Sequence, residues 1–189
     1  MRHILYIHGM GGGADSRIPS ILDNVFCTTA KVVTRTYSFD PEIAACQIAS
    51  WVEELKPVLV IGESLGALHA LRLRGIPHVF VSPALNAPIY FQILAWLTLV
   101  PGVTRLFDRI YRPREGDRQP LHFTFRTLRK YRRHRSEALK DLPSDTRSSL
   151  LCTKVDKASS RPSKSHGRSE KIIDVILLLL TISVFIYSS

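Results

Sequence analysis

The stretch from Val58 to Leu71 constrains the fold more than any other part of the chain. Val58-Leu59-Val60-Ile61 is an apolar run of strand length, Gly62-Glu63-Ser64-Leu65-Gly66 follows directly, and Ala67-Leu68-His69-Ala70-Leu71 opens an Ala/Leu-rich helical pattern. Strand, sharp Gly-x-Ser-x-Gly turn and helix together form a nucleophile-elbow signature. Such a turn projects the serine hydroxyl above the edge of a sheet, and its glycines leave room for close strand-to-helix packing. The helix behind it aims free N–H groups at a reacting oxygen. The alternative is a glycine-rich strand-to-helix turn of another doubly wound protein.

The first half of the chain alternates strands and helices around this stretch. Ile4-Leu5-Tyr6-Ile7 reads as a strand that ends in the glycine-rich loop His8-Gly9-Met10-Gly11-Gly12-Gly13. Asp15 or Ser16 caps a helix whose apolar residues are Ile18, Ile21, Leu22, Val25 and Phe26. Lys31 to Tyr37 is β-branched and predicts a second strand. Asp40-Pro41 marks a helix start, with Ile43, Ile48, Trp51, Val52 and Leu55 as its buried stripe and Pro57 as its stop. The helix after Ser64 is expected to reach about Arg74, and His78 to Ser82 is the next strand. Continuous apolar strands separated by helices predict an α/β, doubly wound, mostly parallel sheet.

Beyond Pro83 the rhythm changes. Ile89 to Val100 is apolar almost all round, which suits a buried helix, one lining an acyl pocket, or one touching lipid. Arg105 to Arg118 reads as an arginine-rich loop. Phe123 to Lys140 predicts a helix with a solvated basic face of Arg126, Arg129, Lys130, Arg132, Arg133 and Arg135. Ser148 to Asp156 predicts a strand with an acid at its end, and Ala158 to Glu170 a polar loop. Ile172 to Tyr187 is strongly apolar apart from Asp174. As a helix it would be about 24 Å long, against a hydrocarbon core of about 30 Å. It is expected to be a last strand or a marginal membrane anchor. The domain expectation is therefore an α/β domain over 1–156, with a basic helical insertion at about 87–142, and an atypical tail over 157–189.

A chain of 189 residues makes one such domain. Its 26 Lys and Arg against 16 Asp and Glu give +10, concentrated in 105–140 and 154–171. This favours anionic partners, but no nucleic-acid motif accompanies the charge. Cys27, Cys46 and Cys152 lack metal-ligand spacing and are expected to be buried reduced thiols. With no leader ahead of the first strand, the expected location is cytoplasmic, with membrane association through the tail as the alternative.

The order of strand, His-Gly loop, strand and Ser64 elbow resembles the α/β-hydrolase superfamily, most of all its small, cap-poor bacterial serine esterases and lipase-like members. The matching residues are His8-Gly9-Met10-Gly11 and Gly62-Glu63-Ser64-Leu65-Gly66, with Ser82-Pro83 after the next strand. The match covers Ile4 to Pro88 and implies a short form lacking the first strands. It implies that Ser64 is the nucleophile and that the backbone N–H groups of Met10 and Leu65 form the oxyanion hole. His8, Gly9, Gly62 and Gly66 would then support the loop and the turn. The family order of serine, acid and histidine assigns Asp156 as the acid and His166, ten residues on, as the base. His69, His122 and His134 are lesser candidates for the base. The family's histidine position falls in Leu177 to Ile186, which contains none.

Two functions follow as expectations. One is a serine hydrolase cleaving a small carboxylic ester, with no metal or organic cofactor. The other is a catalytically impaired protein of the same fold that binds a ligand or touches a membrane through 89–100 or 172–187.

Overall fold

Ile4 to Ile7 are almost fully buried, so the first strand cannot be a sheet edge. In the computed structural model β1 (Arg2–Ile7) is flanked by β2 (Ala30–Thr34) and β3 (Leu59–Glu63). Beyond β3 comes β4 (His78–Val81), and then the two-residue β5 (Leu150–Leu151). The order is β2-β1-β3-β4-β5 and every pairing is parallel. Residues 1–111 and 116–140, with the backbone of 150–151, are described. The chain divides into two units, Met1–Leu151 and Cys152–Ser189. Asp156, His166 and the 172–187 run lie outside the described residues.

The pleat of β1 distributes the core. Leu5 and Ile7 join Val60 and Phe80 on one face, under α2 (Pro41–Leu55), α3 (Gly66–Ala70), α4 (Ala87–Leu97) and α6 (Phe125–Leu139). Ile4 and Tyr6 join Ala30, Val32 and Ile61 on the other, where Ile18, Leu22 and Phe26 of α1 (Arg17–Phe26) pack. Parallel strands covered on both faces need these unbroken apolar runs. Because α1 and α2 lie on opposite faces, the strand order reverses between β1 and β3. In open α/β sheets ligands bind in the crevice at that point, outside the carboxyl ends of the strands.

The start of α2 follows the sequence closely. Asp40 accepts a hydrogen bond from the Glu42 N–H (3.0 Å), Pro41 occupies the first turn, and Lys56 ends the helix at φ +45°. The basic helix α6 is anchored rather than simply solvated. Lys130 reaches Asp40 and Glu42 (both 2.7 Å), the Tyr131 hydroxyl donates to the Phe39 carbonyl (2.8 Å), and Arg135 donates to the Leu85 carbonyl (2.8 Å). Arg126, Arg129, Arg132 and Arg133 remain exposed.

Several expectations are corrected. The helix after Ser64 ends at Ala70, because Arg72 and Leu73 donate to the carbonyls of His69 and Ala70, an i to i−3 pattern that tightens the chain toward Gly75 at φ +74°. The arginine-rich segment expected as a loop contains α5 (Val103–Ile110), started by Gly102 at φ +87°. Ile43, expected in the buried stripe of α2, is exposed. Cys27 and Cys46 are exposed as well. Cys46 lies midway between the buried Ala44 and Ile48, about 200° from each around the helix, and so faces outward. Among the described residues no helix is long and apolar enough to cross a membrane.

Candidate active site at the Ser64 turn

Ser64 sits at the carboxyl end of β3 with φ +49°, a left-handed conformation that side chains other than glycine rarely adopt. Its backbone makes three hydrogen bonds. The Ser64 N–H donates to the Val81 carbonyl (2.9 Å), and its carbonyl accepts from Ala67 (3.2 Å) and Ala84 (3.0 Å). The turn is thus tied to the end of β4 and to the loop beyond it. Neighbouring glycines are required by close approach. A Cβ on Gly62 would lie 2.9 Å from the Ala67 Cα and the Ala70 Cβ. On Gly66 it would collide with the carbonyl oxygens of Ile7 and His8. On Gly9 it would lie 3.0 Å from the Ser64 Cβ and 3.6 Å from its Oγ. The loop after β1 therefore passes directly beside Ser64.

Met10 and Leu65 lie on the two sides of this junction. Among the described residues neither backbone N–H donates a hydrogen bond, whereas Gly11, Gly12, Gly13 and Ala14 all do. Within the loop Gly12 donates to Gly9 (3.1 Å), and from outside the loop is secured by bonds from Ala14 to the Asp117 carbonyl (3.0 Å) and from Gly11 to the Gln119 side chain (3.1 Å).

His8 is fully buried at the start of the loop. Its Nδ1–H donates to the Gly9 carbonyl (2.7 Å), its own carbonyl accepts from the Tyr37 hydroxyl (2.5 Å), and its ring stacks on Tyr37 at 4.3 Å. Burial holds its pKa below the ordinary histidine value. His69 lies beneath, between Tyr37 (5.1 Å) and His134 (4.6 Å), with no hydrogen bond to either ring nitrogen among the described residues. Burial, followed by the nearby charges of His134 and Arg72, pushes its pKa far down. His134 faces Arg72 (2.7 Å), and burial with that charge lowers it to about 4. His122 is exposed, 3.8 Å from Asp108. No hydrogen bond joins a histidine to the Ser64 hydroxyl among the described residues, and Asp156 and His166 fall outside them.

Three participants carry no sequence signal of their own. Tyr37 and Gln119 are buried polar residues in irregular segments. Glu63, beside Ser64, accepts the Tyr6 hydroxyl at 2.6 Å, so the elbow is braced across to β1. A groove of about 410 Å³ lies elsewhere, lined by His3, Pro19, Asp23, Lys31, Thr34 and Leu55. It includes none of Ser64, Met10 or Leu65. Among the described residues no three His, Cys, Asp or Glu side chains gather as metal ligands would.

Compared with known proteins, the chain matches no protein-family model and no curated sequence.

Proposed function

We propose that the chain is a serine hydrolase of the α/β-hydrolase type that cleaves a carboxylic ester through an acyl-enzyme on Ser64. One observation carries this reading. A serine is held at φ +49° by three backbone hydrogen bonds at the carboxyl end of a central parallel strand, against the loop of the neighbouring strand. Lys56 and Ser82 share the left-handed backbone, and what sets Ser64 apart is its place at the topological switch point beside the loop after β1. The N–H groups of Met10 and Leu65, unpaired among the described residues, would be the two donors that a tetrahedral oxyanion needs.

In this scheme the Ser64 Oγ attacks the ester carbonyl carbon and its proton passes to a base. The base returns the proton to the departing alcohol as the C–O bond breaks. Water then attacks the acyl-serine by the same route, releasing the acid and restoring the hydroxyl. His166 as base and Asp156 as its partner rest on chain order alone. His8, His69 and His134 are poorly suited to the role, because burial disfavours their protonated forms.

The test is labelling of the full chain with a fluorophosphonate, alongside hydrolysis of p-nitrophenyl esters of increasing chain length. Labelling and turnover are expected in the wild type and lost in Ser64→Ala. His166→Ala and Asp156→Ala are expected to reduce both by about a hundredfold or more. Absence of labelling in a folded protein would instead favour the second reading, a binding protein that retains the turn without a working base. The missing histidine contact to Ser64 among the described residues is the observation on that side.

A further inference from the structure

The outer face of α4 is apolar and uncovered. Ile89, Ile93, Trp96 and Leu97 recur at i, i+4, i+7 and i+8, the spacing of one helical stripe, and Val100 follows in the turn just past the helix end. They are between 48 % and 65 % exposed, while Ala87, Phe91 and Ala95 on the opposite side are buried. A helix that is apolar all round belongs inside a protein or against an apolar medium. Here only one side has found its cover. Leu99 and Leu106 continue the exposed apolar surface across the connection to α5, which the Val103 N–H closes onto the Val100 carbonyl (3.2 Å).

The border of this surface is cationic. Gly75 to Thr104 contains no Asp, Glu, Lys or Arg. Immediately beyond it, Arg105 and Arg109 of α5 are exposed, as are Arg126 and Arg129 on α6. Aromatic rings join the two zones. Trp96 meets Phe125 edge-on at 5.4 Å, and the Arg129 guanidinium lies 5.9 Å from the centre of the Phe125 ring. Asp108, 3.8 Å from His122, is the acidic residue of α5.

We propose that this face docks on the surface of an anionic lipid bilayer, with α4 lying in the interface plane and the arginines on lipid phosphates. The order of apolar stripe, aromatic border and arginine rim matches the layering of a bilayer from acyl chains to headgroups. At about 16 Å, α4 is far too short to span, so in-plane burial is the geometry open to it. A second copy of the chain is a poorer occupant. A two-fold interface would bring the arginine rims of the two copies together, and like charges would oppose it. The docking needs nothing from Ser64 and stands apart from the esterase reading.

The experiment is flotation of the full chain with phosphatidylcholine vesicles, with and without phosphatidylglycerol. A Trp51→Phe background leaves Trp96 as the fluorescent reporter. Flotation with the anionic vesicles and a blue shift of Trp96 emission are expected, both weakened by added salt. Ile93→Glu with Trp96→Glu should reduce binding about tenfold or more. Arg126→Glu with Arg129→Glu should bring it down to the level of neutral vesicles. These side chains are exposed, so the melting temperature of both variants should stay near wild type. Ser64→Ala should bind as wild type does. Three results would overturn the proposal. They are absence of flotation with anionic vesicles, binding that survives the α4 variant (and so comes from another segment), and a dimer in solution that the α4 variant dissolves.

Discussion

The Gly11 N–H donates to the side-chain oxygen of Gln119 at 3.1 Å, joining positions 108 residues apart. Gln119 is 1 % exposed and makes two further bonds. Its N–H reaches the Gly12 carbonyl (2.8 Å) and its Nε2 the Tyr37 carbonyl (3.1 Å). One buried amide thus fixes both the glycine-rich loop and the segment on which His8 stacks. Gln119→Met keeps much of the volume and removes both side-chain bonds, leaving a buried donor and a buried acceptor unpaired. It should destabilise the protein by about 2–4 kcal/mol and lower Tm by on the order of 10 °C. Hydrogen exchange at the Gly11 amide should accelerate ahead of global unfolding. If the proposed esterase reading holds, fluorophosphonate labelling should slow as well. Unchanged exchange at Gly11 would mean that the loop is held without Gln119.

Gly66 and Gly75 separate two different demands on glycine. At Gly66 an added methyl collides with the backbone carbonyls of Ile7 and His8, which cannot move without disturbing β1. At Gly75 the added methyl meets nothing within 4 Å, and only φ +74° opposes it. Gly66→Ala should therefore cost about 3 kcal/mol or more, and Gly75→Ala about 1–2 kcal/mol. Paired thermal melts decide this. Equal losses would mean that the chain around Gly66 yields to the added methyl, and that close packing at the elbow is not the strict requirement.

The parts of the fold that were legible in the sequence are those where local chemistry and global packing agree. Asp40-Pro41 names a helix start and forms one, and the apolar runs at Ile4, Val58 and His78 become central parallel strands. The Ser64 turn adopts the left-handed backbone that its glycine frame permits. Legibility ends where a pattern admits two solutions. Arg105 and Arg109 look like loop composition, yet at i and i+4 they are the outer face of a short helix with no fully buried residue. Cys27 and Cys46 sit among apolar neighbours in sequence but not on the same helical face. Gln119 lies in a segment without periodicity, and its importance comes entirely from partners that are distant in sequence. Asp156 and His166 stand on chain order alone.

The buried histidines make stability depend on pH. His8, His69 and His134 all have pKa values below the ordinary 6.5, with burial as the largest cause, and His134 is lowered to about 4. Above pH 6.5 folded and unfolded chains are both neutral at these sites, so nothing is lost. Below it the unfolded chain takes up protons that the folded chain refuses, and stability falls as the pH drops toward the folded values. Each site contributes up to about 1.4 kcal/mol per pH unit within its window. For His134 the window runs from 6.5 down to about 4. His69 packs against the rings of Tyr37, Tyr131 and His134, and the nearby charges of His134 and Arg72 add to the burial penalty. His69→Phe should remove one site, flattening the pH dependence of urea-unfolding free energies between about pH 7 and pH 5. An undiminished slope would place the proton uptake elsewhere.

Ser64 offers the sharpest link between strain and chemistry. A residue with a Cβ at φ +49° carries a conformational cost of about 1–2 kcal/mol that glycine avoids. Among the described residues its hydroxyl makes no hydrogen bond that would offset the cost, and its three bonds are all from the backbone. Ser64→Gly relieves the strain and adds a backbone-entropy cost of about 0.5–1 kcal/mol to folding. The melting temperature should therefore hold level or rise slightly and, if the proposed esterase reading holds, labelling should be lost. Ser64→Ala keeps the strain and should melt close to wild type. Ser64→Val adds β-branching at a positive φ and should melt well below all three. That ranking, with glycine at the top and valine at the bottom, is what a strained turn requires. A fall of several degrees in Ser64→Gly would show instead that the serine side chain stabilises the fold, and the hydroxyl would then need a structural explanation before a chemical one.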